Sequence, residues 1–270
     1  MQVIPKKELG QNFLFNKEIL ATIASYAELT KADHVLEIGP GLGTLTSQLC
    51  MQAGMVTALE LDSELARKLP HNVAELMGRD ISTITNLIVA KQDALTYDLD
   101  NLPENYKVVA NIPYNITSKI ISKLWSASNK PAIAVLLVQK EVAERLAAEP
   151  GQLSVLAIAT QIFAEVSLGV VVPASEFIPA PKVDSQVVIM RRRPVPLVNK
   201  VDQAAFFQVV RAGFAEKRKK LRSSLAVGLR TNKAEADRLL LASCIDPNKR
   251  AQELTIADWK RLAKCDNSSL

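Results

Sequence analysis

Residues 111–114 read Asn-Ile-Pro-Tyr and follow directly on the apolar run Val108-Val109-Ala110. A carboxamide, a rigid imide and an aromatic ring are thereby brought to the end of a buried strand, which is where open α/β sheets bind their ligands. The Asn111 amide oxygen and a backbone carbonyl held near Pro113 are neutral acceptors, and Tyr114 is a flat stacking surface. Together they suit a nucleobase turned out of its stack and gripped by its exocyclic amine and its face. Chemistry on a base is the expectation.

A second constellation lies upstream. Glu37-Ile38-Gly39-Pro40-Gly41-Leu42-Gly43 ends the first apolar run and leads into a helix-like stretch from Thr44. Glycines at such a turn let the backbone approach a ligand, while the helix start offers free N–H groups. Glu60 closes the next apolar run 21 residues after Gly39, near the offset of a ribose-binding carboxylate in dinucleotide folds. The dinucleotide fingerprint needs G-x-G-x-x-G, however, and Thr44 stands where its last glycine belongs. The G-x-G-x-G found here fits a ligand with no pyrophosphate against the turn, S-adenosylmethionine, with Glu60 accepting both ribose hydroxyls. Asp93, after the third apolar run, is placed to accept from the adenine amine; its other reading is a helix N-cap.

Elements must position these groups. Apolar runs at 35–38, 56–61, 87–90, 108–112 and 133–138 alternate with helix-like stretches, the pattern of a parallel sheet wrapped on both faces. Two further strands, at 166–172 and 186–190, are separated by Pro173, Pro179 and Pro181 and leave no room for a crossover helix, so an antiparallel pair at the sheet edge is expected. Arg191-Arg192-Arg193-Pro194-Val195-Pro196 interrupts the pattern and marks a boundary between a catalytic domain, 1–193, and a small helical domain, 197–270. In the latter, amphipathic helices are predicted over 203–214, 217–230, 233–243 and 256–264.

Bulk properties narrow the function. With 270 residues, 48% of them apolar, the chain can build a conventional core. Cys50, Cys244 and Cys265, with His34 and His71, show no ligand spacing, which argues against a disulfide framework and a metal site. The uncharged stretch 150–164 has 15 residues and includes Gln152 and Gln161, too short and polar for a bilayer. No apolar segment of a secretory signal follows the first lysines, so a cytoplasmic protein is expected. The net charge of +5 is lopsided: residues 191–230 hold 11 Lys and Arg against Asp202 and Glu216, while the remainder is slightly acidic. Arg211, Lys217, Arg218, Lys219, Lys220 and Arg222 recur at helical spacing, which predicts a positive helix face for RNA phosphates.

At this point the chain resembles the KsgA-type ribosomal RNA adenine N6-dimethyltransferases. The resemblance rests on Leu9-Gly10-Gln11-Asn12-Phe13-Leu14, the Glu37 turn, Asn111-Ile112-Pro113-Tyr114-Asn115-Ile116-Thr117 and Phe177-Ile178-Pro179-Ala180-Pro181-Lys182-Val183-Asp184-Ser185. Stretches 215–225 and 244–254 of the tail resemble that type too. It implies the class I methyltransferase fold: an α/β, Rossmann-like sheet, mostly parallel with an antiparallel edge strand, and a small all-helical C-terminal domain. It further implies that Asn12 and Leu14 join Gly39, Gly41, Glu60, Asp93 and Asn111 around S-adenosylmethionine. Asn111, Pro113 and Tyr114 would hold the target adenine, with Phe177 stacked on its other face. The implied reaction is N6 dimethylation of two adjacent adenosines in the 3′-terminal hairpin loop of small-subunit rRNA, by a metal-free monomer acting on a pre-30S particle. An Erm-type enzyme acting on large-subunit rRNA shares the same core motifs, and an assembly factor working mainly by binding would keep the same fold. The chain departs from the family pattern in a shorter loop at 146–153, in Gln252, where glutamate is usual, and in Ser223, where asparagine is common.

Overall fold

Strands that are apolar along their whole length need cover on both faces, and the central strands here have it. A computed structural model of the protein describes residues 10–216 and 218–267. Lys217, Leu9 of the first motif and the tail residues 268–270 lie outside the described residues. The chain divides into two units, residues 1–144 with 165–192, and residues 145–164 with 193–270.

In chain order the elements up to residue 192 are β1 (Phe13–Leu14), α1 (Lys17–Ser25), β2 (His34–Ile38), α2 (Thr44–Gln52), β3 (Met55–Glu60), α3 (Ser63–Met77), β4 (Leu87–Lys91), β5 (Lys107–Asn111), α4 (Thr117–Ser126), β6 (Ile133–Gln139), α5 (Lys140–Leu146), α6 (Val155–Gln161), β7 (Ala164–Val172), β8 (Phe177–Ile178) and β9 (Ser185–Arg192). Seven strands form one sheet in the order β4-β3-β2-β5-β6-β9-β7. The first five positions pair in parallel. β9 runs antiparallel to β6, with Gln139 opposite Ser185 and Ile133 opposite Arg191. The antiparallel strand thus lies one place in from the edge, and β7 takes the edge itself. Burial accounts for the order: β9 is buried from Ser185 to Met190, whereas β7 mixes buried and exposed positions.

The chain leaves β2 toward β3 and β4, then returns to place β5 on the other side of β2, where Leu36 faces Val108. This reversal makes the carboxyl ends of β2 and β5 the switch point of the sheet. Local chemistry sets the neighbouring helix starts. The Asn16 side chain accepts from the N–H groups of Glu18 and Ile19 to open α1, and Asp62 does the same for Glu64 and Leu65 at α3. A separate two-stranded ribbon joins β1 to β8, pairing Phe13 with Ile178 and Leu14 with Phe177.

The second unit carries α7 (Gln203–Gly213), α8 (Leu221–Gly228), α9 (Lys233–Ala242) and α10 (Ile256–Asn267). Trp259, fully buried, stacks on Phe214 with ring centroids 5.8 Å apart. Gly228 permits the close approach of α8 to α7, since a Cβ there would sit 2.3 Å from Ala212 Cα. The helix predicted over 217–230 is corrected to α8 alone. The described residues from 214 to 220 form turns and extended chain. Like charges three or four apart, as Lys217 with Lys220 and Arg218 with Arg222 would be, repel on a helix surface, and the fold offers the flanking backbone other partners. Leu221 N–H donates to the Lys249 carbonyl at 2.7 Å, and Ser224 Oγ bridges the N–H and C=O of Glu216. Two departures from the family pattern meet in this unit: Gly151 N–H donates to the Gln252 carbonyl, and Gln252 Nε2 returns a bond to the Gly151 carbonyl, both at 2.9 Å. A glutamate at 252 has no N–H to give that carbonyl.

Candidate active site

β2 and β5 end side by side, and each passes its next residues to a turn. Between the turns lies a cleft of about 1050 Å³, counted with its open mouth. Its walls include Gly39, Gly41, Glu60 and Asp93 on one side and Asn111, Pro113 and Tyr114 on the other, with Asn12 and Leu14 contributed by the N-terminal segment. The two turns touch: a Cβ on Gly39 would lie 3.7 Å from Pro113 Cδ. Gly41 has φ +57°, and a Cβ there would meet the Phe13 ring at 2.9 Å, so both conformation and space require glycine.

Glu60 is tied to this turn. Its Oε2 accepts from Gly41 N–H at 3.1 Å and its Oε1 from Asp62 N–H at 2.9 Å. Burial raises its pKa above the ordinary carboxylate value, and the Asp62 charge adds to this, against the lowering effect of the backbone donors. A carboxylate has about four acceptor sites, so both oxygens keep capacity for a ligand. Asp93 lines the cleft, and its Oδ1 accepts from Leu95 N–H at 2.8 Å at the head of a short turn rather than of a helix.

Asn111 Nδ2 donates to the Asn12 carbonyl at 3.1 Å, which sets which end of the amide is acceptor for a ligand. Asn12 in turn donates from Nδ2 to the Gly10 carbonyl at 3.3 Å, and the Leu14 carbonyl accepts from Thr44 Oγ1 at 2.9 Å. The Pro113 carbonyl accepts from Ile116 N–H at 3.1 Å and from Thr117 Oγ1 at 3.3 Å. Tyr114 Oη is 2.7 Å from Ser185 Oγ, and burial pushes its phenol pKa up.

Phe177 departs from the expected arrangement. It is 2% exposed, belongs to the apolar core with Leu14, Leu137 and Val187, and does not line the cleft. Alternation along β8 explains this, since Phe177 points inward and Ile178, 62% exposed, points out. The positive helix face is likewise corrected. Arg211 is exposed in the last turn of α7, whereas Arg218, Lys219 and Lys220 are exposed on the irregular chain before α8. Lys220 Nζ donates to Asn248 Oδ1 at 2.8 Å. Arg222 is partly buried and ion-pairs with Asp237, an α8-to-α9 tie.

Two further residues of this region carry no mark of a site in the sequence motifs. Ser185 ends the 177–185 motif, but its partner is 71 positions away. Glu37 stands in the sequence as the first residue of the glycine turn, and its signal is a carboxyl group within the apolar run 35–38. It is 1% exposed, lines the cleft, and its Oε2 has no hydrogen-bond partner among the described residues. Burial, with the Glu60 charge adding, pushes its pKa up from 4.5 to about 8. Between those values the unfolded chain has released a proton that the folded chain keeps, so Glu37 makes stability fall as pH rises. Glu37→Gln removes this contribution: the variant's unfolding midpoint gains on the wild type across that window in calorimetry. A constant difference would show an ordinary carboxyl.

The chemistry of the lining is one-sided. Glu60 and Asp93 face the cleft beside Glu37, which keeps its proton up to about pH 8, and no Lys, Arg or His is among the described residues that line it. Such a site suits a cationic ligand and offers no counter-charge to a pyrophosphate. Among the described residues no group of three or more His, Cys, Asp or Glu could hold a metal ion, and no helix is long and apolar enough to cross a membrane.

Comparison with known proteins agrees with this chemistry. The family model for ribosomal RNA adenine dimethylases matches residues 5–267. The ribosomal RNA small subunit methyltransferase A of Dehalococcoides mccartyi is 37% identical over 260 residues, which cover 95% of this chain and 87% of that protein. Its counterpart from a Geobacillus species is 39% identical, covering 96% and 90%. Among solved structures, a dimethyladenosine transferase from Plasmodium falciparum superposes with TM-score 0.79 at 28% identity, covering 96% of this chain and 98% of its own. The 23S rRNA methyltransferase ErmE gives TM-score 0.74 at 30% identity, covering 94% and 99%.

Proposed function

The chain belongs to the ribosomal RNA adenine dimethylase family, and from that premise we propose that it is an S-adenosylmethionine-dependent enzyme that dimethylates N6 of two adjacent adenosines in the 3′-terminal hairpin loop of small-subunit rRNA. The observation that carries this reading is Asn111 at the switch point with its amide nitrogen engaged by the Asn12 carbonyl, which leaves Oδ1 as an acceptor beside an acid-lined donor cleft. The identity of 37–39% to small-subunit enzymes, against 30% to ErmE, supports the choice of subunit. We assign methyl transfer to the unit that holds the sheet and RNA docking to the unit that holds α7 to α10, which takes in residues 145–164 as well as the expected 197–270, and place the reaction in the cytoplasm, on a pre-30S particle, with a monomeric enzyme.

The cleft fits the donor, a sulfonium cation. Glu60 would hold the ribose hydroxyls, Asp93 the adenine amine, and Asn12, Leu14, Gly39 and Gly41 the surrounding walls. When bound, S-adenosylmethionine supplies an electrophilic methyl group. The remaining work falls to the protein. An adenine amine is a weak nucleophile because its lone pair is delocalised into the ring. Asn111 Oδ1 and a backbone carbonyl would accept its two N–H bonds and draw the nitrogen toward tetrahedral geometry, an effect of orientation and electrostatics. Since the Pro113 carbonyl is engaged within its own turn, the Ile112 carbonyl is the better acceptor. No general base is required, because the alkylated amine is acidic enough to lose its proton to water. Tyr114 would stack on the base, at about 1–3 kcal/mol, offsetting its removal from the RNA.

The exposed cations before α8 would meet RNA phosphates. Replacing Lys219 and Lys220 with alanine lowers the slope of log K against log salt by about two, one per lost contact. Arg222→Ala acts differently: it leaves Asp237 unpaired and lowers the unfolding midpoint while the salt slope holds. A filter-binding salt titration separates the two.

Methyl transfer from labelled S-adenosylmethionine to unmethylated small subunits, large subunits and naked rRNAs tests the function, with mass spectrometry of the nucleosides. Dimethyladenosine in small subunits is the expected product. Label confined to large-subunit RNA would make this an enzyme of the other kind, to which ErmE belongs. Tight small-subunit binding with no label would make it an assembly factor.

A further inference from the structure

Tyr114 is held from outside its own turn. Ser185 opens β9 opposite Gln139, is fully buried, and its Oγ lies 2.7 Å from Tyr114 Oη. The strand start beneath it is anchored twice: Lys140 N–H donates to the Asp184 carbonyl at 3.0 Å, and Ala174 N–H to Asp184 Oδ1 at 2.9 Å. Packing gives little reason for a hydroxyl here. The next four positions are Gln186, Val187, Val188 and Ile189, all buried, and a buried hydroxyl without a partner is destabilising. Tyr114 supplies that partner, and Ser185 in return fixes the far end of a ring that would otherwise rotate about its two side-chain torsions.

We propose that Ser185 is a positioning residue for methyl transfer, its hydroxyl holding the Tyr114 ring at the one angle from which it stacks on the incoming base. This rests on the reading of Tyr114 as a base-stacking group. Ordering a free side chain on binding costs affinity, and a ring already tethered avoids that cost. The same geometry accounts for tyrosine at position 114, where phenylalanine would stack equally well but could not be tethered.

A double-mutant cycle on the full chain tests it, using unmethylated small subunits and labelled donor. Ser185→Ala and Tyr114→Phe each lower kcat/KM for the RNA substrate by about tenfold, the size of one hydrogen bond, with donor affinity at the wild-type value; the unfolding midpoint holds in Ser185→Ala, which leaves no buried hydroxyl behind, and falls in Tyr114→Phe, which leaves Ser185 Oγ buried without its partner. The double variant is no worse than either single one, because both remove the same bond. Multiplicative losses in the double variant would overturn the proposal, as would wild-type kcat/KM in Ser185→Ala or a loss in Ser185→Ala that tracks a lowered midpoint. Unaltered enzyme in the same assay keeps the two questions apart. If it transfers methyl groups and Ser185→Ala does too, only the positioning role falls; if it transfers none, the functional reading falls and takes this role with it.

Discussion

Asn111→Ala lowers single-turnover methyl transfer by about 10²- to 10³-fold, the usual effect of removing one preorganised group from a transition-state contact. The residue ends β5, and its backbone pairing with Leu137 does not depend on the side chain, so the sheet persists. What goes is the Oδ1 acceptor for the amine, together with the Nδ2 bond to the Asn12 carbonyl, which contributes about 1 kcal/mol to stability. Asn111→Asp sharpens the test. A carboxylate keeps an acceptor for the amine but turns its second oxygen toward the Asn12 carbonyl, acceptor against acceptor, so the side chain rotates away and transfer is again lost. Near-normal turnover in the alanine variant would discard this account of the chemistry.

Glu60→Ala weakens S-adenosylmethionine binding by about 10²-fold or more in isothermal titration calorimetry. Two charge-assisted bonds to ribose hydroxyls, each about 1.5–3 kcal/mol, set that size. The variant also strips the buried acceptor from Gly41 and Asp62 N–H, so the glycine turn loses its brace as well as its ligand contact. Glu60→Gln keeps the shape and one acceptor and falls between. Because burial raises the Glu60 carboxyl, donor affinity fades on acidification at a higher pH than an ordinary glutamate would give. An unchanged dissociation constant in Glu60→Ala would place the ribose elsewhere.

Much of the architecture was readable from short patterns. The five parallel strands stand where the apolar runs predicted them, and α7, α9 and α10 follow the amphipathic periods closely. The failure at 217–230 is instructive: periodicity was present, but the cluster of like charges and the bonds of Leu221 and Glu216 to other partners decided the backbone. Phe177 fails for another reason. A motif places the residue at the right strand, yet whether its ring faces the cleft or the core depends on the pairing of β8 with β1, which the motif does not encode.

By itself, then, the sequence determined the elements, their order and the residue types at the switch point, because helix and strand periods, caps and glycine turns are properties of neighbouring residues. The tertiary structure decided how those residues are aimed. Asn111 is oriented by a carbonyl 99 positions away, Tyr114 by a hydroxyl 71 positions away, and the buried Glu37 comes under the charge of Glu60 only when β2 and β3 lie side by side. Side-chain orientation is set by partners distant in the chain, and those partners exist only once the sheet has brought them together.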